Sequence, residues 1–281
     1  MRSWKLNNGF ELPKVGLGTW LMGGAMEADT SEDNRSLQAI RSALELGYTH
    51  IDTAELYGNG HAEELVGEAI KGVEREGLVI ATKVAKTHLR QNDVLRAAEG
   101  SLKRLGLDYI DIYYIHAPNP DIPLEETMEA MNKLVKEGLV RNIAVSNFTV
   151  DMLKEAQSLA DTKIVANQVE YSLSTQLEDN HGYSKNVYSE MLPYCQNNDV
   201  ILVAYRPVNR GELLRPHEAI DKMAEKYDKT RAQIVINWLV SQKNVVTIPM
   251  AQNEEHLKEN LEAGDWEMDT EDIATLGEAY R

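Results

Sequence analysis

The stretch LVIATKVAKTHLRQNDVLRAAEGSLKRLGLDYIDIYYIH, residues 78–116, holds two β-rich runs with a helical pattern between them. The first run ends on Lys83 and the second on His116. Just upstream, HIDTAELYGNG (residues 50–60) closes another run with Asp52, followed by Tyr57. Strand, helix and strand in succession are the unit of a parallel sheet. The alternation continues along the whole chain, with strands expected at 15–17, 48–52, 78–82, 109–115, 140–144, 164–168, 200–204 and 245–248. Eight strands separated by helices predict one α/β domain, a (β/α)8 barrel, a fold that takes about 250 residues. The chain has 281, and no low-complexity segment, Pro-rich linker or charge block divides it, so residues 1–281 read as a single domain.

Local signals agree with this plan. Leu124, Met128, Met131, Leu134 and Val135 recur at helical spacing after Pro123, and Gly138 follows as a stop, so these methionines are expected in the core. Thr230 and Gln233 fit a capping box that opens the apolar run through Trp238 and Leu239. Ahead of the barrel, residues 4–6 and 10–12 flank Asn7-Asn8-Gly9, the signature of a short hairpin that would plug the N-terminal end. The segment 171–186 is polar and long for a connection in this fold, and is expected to be a binding loop.

Composition removes several classes of function. Hydrophobic residues make up 43% of the chain, enough for a large core, yet no run of about 18 apolar residues could form a membrane-spanning helix. The N-terminus lacks the apolar centre of a signal peptide, and the lone Cys195 cannot form an internal disulfide; both point to a soluble cytoplasmic protein with Cys195 in its core. A net charge of −16 without any basic stripe argues against nucleic acid. No HExxH, paired cysteines or carboxylates at ligand spacing suggest a metal.

In a barrel of this kind functional groups collect at the C-terminal ends of the strands. Reading that position along the chain gives Asp52, Lys83, His116, Ser146 with Asn147, Gln168 and Tyr205. Alone, each has an ordinary structural explanation; their convergence is what singles them out. A tyrosine normally titrates near about 10, and a neighbouring ammonium is expected to lower that value while a carboxylate keeps the ammonium charged. Tyr57, Lys83 and Asp52 supply those three groups, and His116 can hydrogen-bond a carbonyl oxygen. Such a site protonates an alkoxide as it forms, so a hydride donor is needed, and no side chain is one; a nicotinamide is.

These strings resemble the aldo-keto reductase family over essentially the whole chain. GLGTW (16–20), DTAELYGNG (52–60), Lys83, IHAP (115–118), GLVRNIAVSNF (138–148), NQVEY (167–171) and IPMAQNEEHLKENL (248–261) match its order and spacing. The resemblance implies a barrel that binds an extended NADP(H) or NAD(H) without a Rossmann domain. Consistently, Gly16-Leu17-Gly18 lacks the third glycine of the Rossmann fingerprint. It implies Tyr57 as general acid with Asp52, Lys83 and His116 completing a tetrad, and Ser146, Asn147 and Gln168 on the nicotinamide carboxamide. Tyr205 would stack on the nicotinamide. The segment 206–213, including Arg206, Pro207, Gly211 and Leu213, would wrap the pyrophosphate. The segment 249–260, with Met250, Gln252, Asn253, His256 and Asn260, would take the adenosine end. Family members that reduce carbon–carbon double bonds carry Glu where His116 stands, which favours carbonyl reduction.

The chain departs from the family pattern in places. Ala144 replaces a usual Gly, and Arg206 replaces a usual Ser, leaving open whether it meets the pyrophosphate or points to solvent. Met250 and His256 stand where NADPH-using members often place cations for the 2′-phosphate, and Lys258 or Arg206 would have to compensate. The expectation is dual cofactor use with NADPH preferred. Trp20 would line the substrate pocket, and Ala117 widens it where many sugar-reducing members have Trp. Tyr171, His181 and Tyr183 would form further walls, and the short C-terminal extension argues for small aldehydes, ketones or 2-oxo compounds over steroids. A monomer is the default. The alternative reading is a cofactor-binding regulatory subunit of the same fold, similar to the potassium-channel β-subunits.

Overall fold

In the computed structural model the described residues are 2–175 and 187–280. Strands β1 (Ser3–Lys5) and β2 (Glu11–Pro13) form an antiparallel hairpin. The other eight are β3 (Leu17–Gly18), β4 (His50–Asp52), β5 (Val79–Val84), β6 (Ile110–Ile115), β7 (Val140–Ser146), β8 (Ile164–Glu170), β9 (Ile201–Tyr205) and β10 (Val245–Thr247). They lie side by side in sequence order as one parallel sheet. Its two edges meet where Val15 bridges Thr247, with Gly16 N–H donating to Thr247 O at 2.8 Å and Thr247 N–H to Lys14 O at 3.0 Å. The result is the closed (β/α)8 barrel.

All eight expected strands are present, with shifted bounds. The first is shorter than expected and begins at Leu17, because Val15 makes only an isolated bridge. Strands β5, β7, β8 and β9 run one or two residues further at their C-terminal ends than expected. Inter-strand pairing continues through Lys83, Ser146, Gln168 and Tyr205, so these side chains belong to the ladders rather than to the loops beyond them.

Side chains alternate across a strand, and that period sorts the core into two clusters. Ile51, Ile80, Tyr113, Ile143, Val169 and Leu202 pack outward against the helices. Ala81, Ile112, Tyr114, Ala144, Ala166 and Val203 fill the barrel itself. Continuing the inward rows two residues further reaches Lys83, His116, Ser146, Gln168 and Tyr205. The fold therefore aims the polar strand ends at the barrel mouth because the apolar residues beneath them face its axis.

The opposite end is stoppered by the hairpin. Gly9 turns at φ +88°, while Leu6 and Leu12 are buried in the inner cluster beside Trp4 and Phe10. Burying a leucine of this kind is worth about 1.5–3 kcal/mol. Trp4 Nε1 donates to Val245 O at 2.9 Å, and Asn7 N–H to Asp199 Oδ2 at 2.9 Å, fixing the plug to the start of β9 and β10.

The outer layer comprises α1 (Asp33–Leu46), α2 (His61–Ala69), α3 (Gln91–Leu105), α4 (Leu124–Lys136), α5 (Val150–Leu159), α6 (Leu192–Asn197), α7 (Glu218–Tyr227), α8 (Arg231–Val240), α9 (Glu254–Glu262) and α10 (Thr270–Glu278). Met128, Met131 and Leu134 of α4 are buried, as their spacing predicts. Thr230 and Gln233 form the expected reciprocal capping box on α8. Cys195 is buried, and desolvation pushes its thiol up to about 12, which makes it an inert core residue. No helix among the described residues is long and apolar enough to cross a membrane.

Candidate active site

Lys83 is the centre of the site. Its ammonium has three hydrogens and finds three acceptors: Asp52 Oδ1 at 2.5 Å, Thr53 O at 2.7 Å and Tyr57 Oη at 3.3 Å. Neither Lys83 nor Asp52 is more than 1% exposed. Burial opposes the lysine charge, but Asp52 and then Tyr57 outweigh it and hold its pKa above the ordinary value. Lys83 is thus a fixed cation in a dry pocket.

Tyr57 opens a tight turn, Tyr57–Gly60, with residues 53–56 between it and the end of β4. Its ring stands edge-on between Trp20 (centroids 5.0 Å apart) and His116 (5.7 Å). The expected lowering of its pKa is not what this arrangement gives. Desolvation pushes the phenol up, and the charge of Lys83 only partly offsets this, because Asp52 lies beside that lysine and acts in the opposite direction. The phenol is therefore protonated at neutral pH, with the Lys83 ammonium donating to its oxygen.

His116 sits at the end of β6, its backbone N–H bonded to Val84 O at 3.0 Å. Burial and the neighbouring Lys83 charge pull its pKa down to about 3, so the ring is neutral. Its Nδ1 is buried without a partner among the described residues. One layer below Asp52, His50 is likewise buried and neutral, with its pKa lowered to about 4 chiefly by desolvation.

The remaining strand-end residues form one connected network. Ser146 Oγ donates to Gln168 O at 2.9 Å, and Asn147 Nδ2 donates to both His116 O and Ser146 Oγ at 3.0 Å. Asn147 adopts φ +62°, and its Oδ1 accepts from Tyr205 Oη at 3.1 Å. Gln168 Nε2 donates to Asp52 Oδ2 at 2.9 Å, which links the network to the lysine pocket.

Arg206 does not point simply to solvent: its Nη1 pairs with Glu170 Oε2 at 3.0 Å, a carboxylate only 5% exposed. Glu170 lies two residues past Gln168 on the same inward row of β8, so strand alternation in the sequence already points to it. Beyond Arg206 and Pro207, the segment Asn209–Leu214 coils with Gly211 at φ +90° and Leu213 buried. Around the start of α9, Met250 is exposed and Gln252 Nε2 reaches Ser36 Oγ at 3.4 Å. Asn253 caps that helix by accepting from His256 N–H at 2.7 Å, and Asn260 is buried one face further on. The first turn of α9 also carries Glu254 and Glu255.

Ala117 directly follows His116 and is half-buried, while Trp20 is 39% exposed at the mouth. Tyr171 is not a pocket wall. It is fully buried, packs 5.5 Å from Trp238, and donates its hydroxyl to Gln242 Oε1 at 3.0 Å. Two residues past outward-facing Val169, it continues that row into the layer between the barrel and α8. His181 and Tyr183 lie outside the described residues.

A model of the aldo/keto reductase family matches residues 14–281. Methylglyoxal reductase YeaE of Escherichia coli (strain K12) is 34% identical over 274 residues, 96% of this chain and 91% of that protein. The crystal structure of a thermostable aldo-keto reductase, Tm1743, with the inhibitor epalrestat superposes with a TM-score of 0.92 at 43% identity, covering 99% of this chain and all of that one. An aldo/keto reductase from Klebsiella pneumoniae, in complex with NADP and acetate, has a TM-score of 0.85 at 35% identity, covering 99% of this chain and 95% of that one.

Proposed function

The chain belongs to the aldo/keto reductase family, and on that premise we propose that it is an NAD(P)H-dependent carbonyl reductase for small aldehydes or ketones. The observation that carries the proposal is the buried ammonium of Lys83, bonded at once to the Asp52 carboxylate and the Tyr57 hydroxyl. In this reading Tyr57 is the proton donor. His116, neutral throughout the working range, donates a hydrogen bond to the carbonyl oxygen and orients it. As that oxygen becomes an alkoxide, Tyr57 transfers its phenolic proton to it, and Lys83 stabilises the phenolate left behind. Asp52 keeps Lys83 charged. The nicotinamide, when bound, supplies the hydride that forms the new C–H bond.

The residues around the pocket fit such a cofactor. Ser146, Asn147 and Gln168 carry amide and hydroxyl groups of the type that pair with a carboxamide, and His116 Nδ1 has hydrogen-bonding capacity free of partners among the described residues. Tyr205 is held by Asn147 as a flat surface beside them. Arg206, Pro207, Gly211 and Leu213 would take the pyrophosphate, and Met250, Gln252, Asn253, His256 and Asn260 the adenosine. NADPH is the favoured cofactor, in keeping with the NADP-bound Klebsiella neighbour. NADH is accepted as well, since exposed Met250 and the acidic first turn of α9 offer little grip on a 2′-phosphate. Trp20 and Ala117 line a pocket suited to a short substrate, in line with the methylglyoxal reductase relative. We read the protein as a cytoplasmic monomer of one domain, residues 1–281, with no affinity for nucleic acid at a net charge of −16.

The test is oxidation of NADPH or NADH, followed by absorbance, with a panel of activated aldehydes and ketones. Tyr57→Phe should bind cofactor normally and lose turnover by at least about 10²-fold, the scale of a missing general acid. Near-full activity in Tyr57→Phe would overturn the assignment.

A further inference from the structure

The turn that carries Tyr57 is fastened to a neighbouring loop by a histidine that the chemistry above leaves unused. Residues 19–32, which include Trp20 with its ring against Tyr57, lead from β3 to the start of α1. This loop lies against the Tyr57 turn: Gly58 N–H donates to Ala25 O at 2.8 Å, and a Cβ on Gly58 would fall 2.2 Å from Gly23 O. His61, the first residue of α2, closes the same junction. Its ring packs so near Gly23 that a Cβ there would lie 2.8 Å from His61 Cδ2.

Both nitrogens of that ring meet carboxylates. Nδ1 is 2.8 Å from Glu64 Oε2, and Nε2 is 2.9 Å and 3.0 Å from the two oxygens of Asp33. A carboxylate only accepts, and a neutral imidazole has a single N–H, so two such contacts require the doubly protonated ring. We propose that His61 is a positioning residue whose imidazolium, bonded to Asp33 of α1 and Glu64 of α2, holds the 19–32 loop and Trp20 against the Tyr57 turn, closing the substrate side of the site while His61 is protonated and loosening it on deprotonation.

The charges that face the ring all favour this state. Asp33 comes from α1 and Glu64 from α2 itself, and on the loop side the ring meets uncharged Gly23. Arg104 of α3 packs on Gly60 of the same turn and is engaged by buried Glu63 at 2.6 Å. Desolvation works against the charged ring, but Glu64 and Asp33 more than offset it and raise the His61 pKa. The clamp is therefore complete below that raised pKa and is lost as pH rises through it, when a lone pair would face a carboxylate.

The proposal rests on Tyr57 as proton donor, and its test separates the two. In the full-length protein, the His61 imidazole followed by NMR should titrate above the free-histidine value of about 6.5 and fall towards it in Asp33→Asn. Hydrogen exchange in peptides covering 19–32, corrected for intrinsic rates, should accelerate through the same midpoint. In His61→Gln it should be fast at every pH. The substrate KM should rise about tenfold in His61→Gln, the scale of a modest misplacement, with cofactor Kd unchanged. Wild-type KM should rise through the His61 midpoint, and this pH step should vanish in the variant. An unshifted His61 titration, a protected loop in His61→Gln, or a KM step that survives the substitution would each overturn the clamp. Should His61→Gln fail to fold, Asp33→Asn carries the same exchange and KM readouts. Turnover in Tyr57→Phe would refute the proton donor, while the titration and exchange results would still decide on His61.

Discussion

Gln168 donates from Nε2 to Asp52 Oδ2 at 2.9 Å, so the carboxylate that anchors Lys83 is itself anchored from a strand 116 residues further along the chain. Asp52 thereby has a donor on each oxygen, Lys83 on one and Gln168 on the other. Replacing Gln168 by Leu removes one of them in a place water does not reach. We expect a stability loss of about 1–3 kcal/mol, the cost of an unsatisfied buried acceptor, measured by urea unfolding. Weaker cofactor binding should accompany it.

Lys83→Met should do more damage to stability than its size suggests. It leaves Asp52 charged, 1% exposed and unpaired with any cation, a change that typically costs about 3–5 kcal/mol. The double variant Lys83→Met/Asp52→Asn should recover much of that stability and none of the activity. Chemical denaturation and a carbonyl-dependent NADPH assay on both variants distinguish the charge effect from the catalytic one.

Acid should destabilise the fold through two interior histidines. In the folded chain His50 and His116 have pKa values lowered to about 4 and about 3, against about 6.5 when unfolded. As pH falls below about 6.5 the unfolded state binds protons that the folded state refuses, so stability drops with decreasing pH and the loss continues towards the folded values. Above about 6.5 neither group contributes a slope. His50→Leu should make the acid limb shallower, as read from unfolding midpoints across pH, while His116 remains neutral in turnover conditions and adds no limb to the rate profile there.

Gly58 is held at φ +56°, with no room for a Cβ against Gly23 O. Gly58→Ala should lower stability by about 1–3 kcal/mol, the range for forced overpacking. Because the displaced partner is the backbone of the 19–32 loop, substrate KM should rise as well. Thermal melts and steady-state kinetics check both outcomes.

Met250→Lys should sharpen cofactor preference. A cation at this exposed position can pair with a 2′-phosphate, tightening NADPH by roughly tenfold, or about 1.4 kcal/mol, while leaving NADH almost unaffected. Fluorescence titration with the two cofactors gives the ratio directly.

What could be read from the chain follows from where the physics is local. Runs such as VIAT and YIDIYYI declare strands by their own residues, and two-residue alternation carries the reading to Lys83 and His116 without any tertiary information. Capping at Thr230 is equally local. Pairings between elements distant in the chain are not. That Gln168 reaches Asp52, that Arg206 pairs with Glu170, and that Tyr171 turns into the core depend on strand register and helix placement. The Tyr57 pKa went the other way for the same reason. An ammonium on the next strand is visible in the sequence as an opportunity, but the desolvation that outweighs it exists only once the barrel has closed.

That closure rests on a short seam. Lys14, Gly16 and Gly18 exchange backbone hydrogen bonds with Thr247 and Pro249, joining opposite ends of the polypeptide. Contacts so distant along the chain are entropically slow to make, which places the sealing of the ring late in folding. Until then β3 and β10 are bare sheet edges able to recruit another chain. Aggregation during refolding should therefore depend on protein concentration most strongly before the two ends meet, and the first eighteen residues act as the protein's own edge protection.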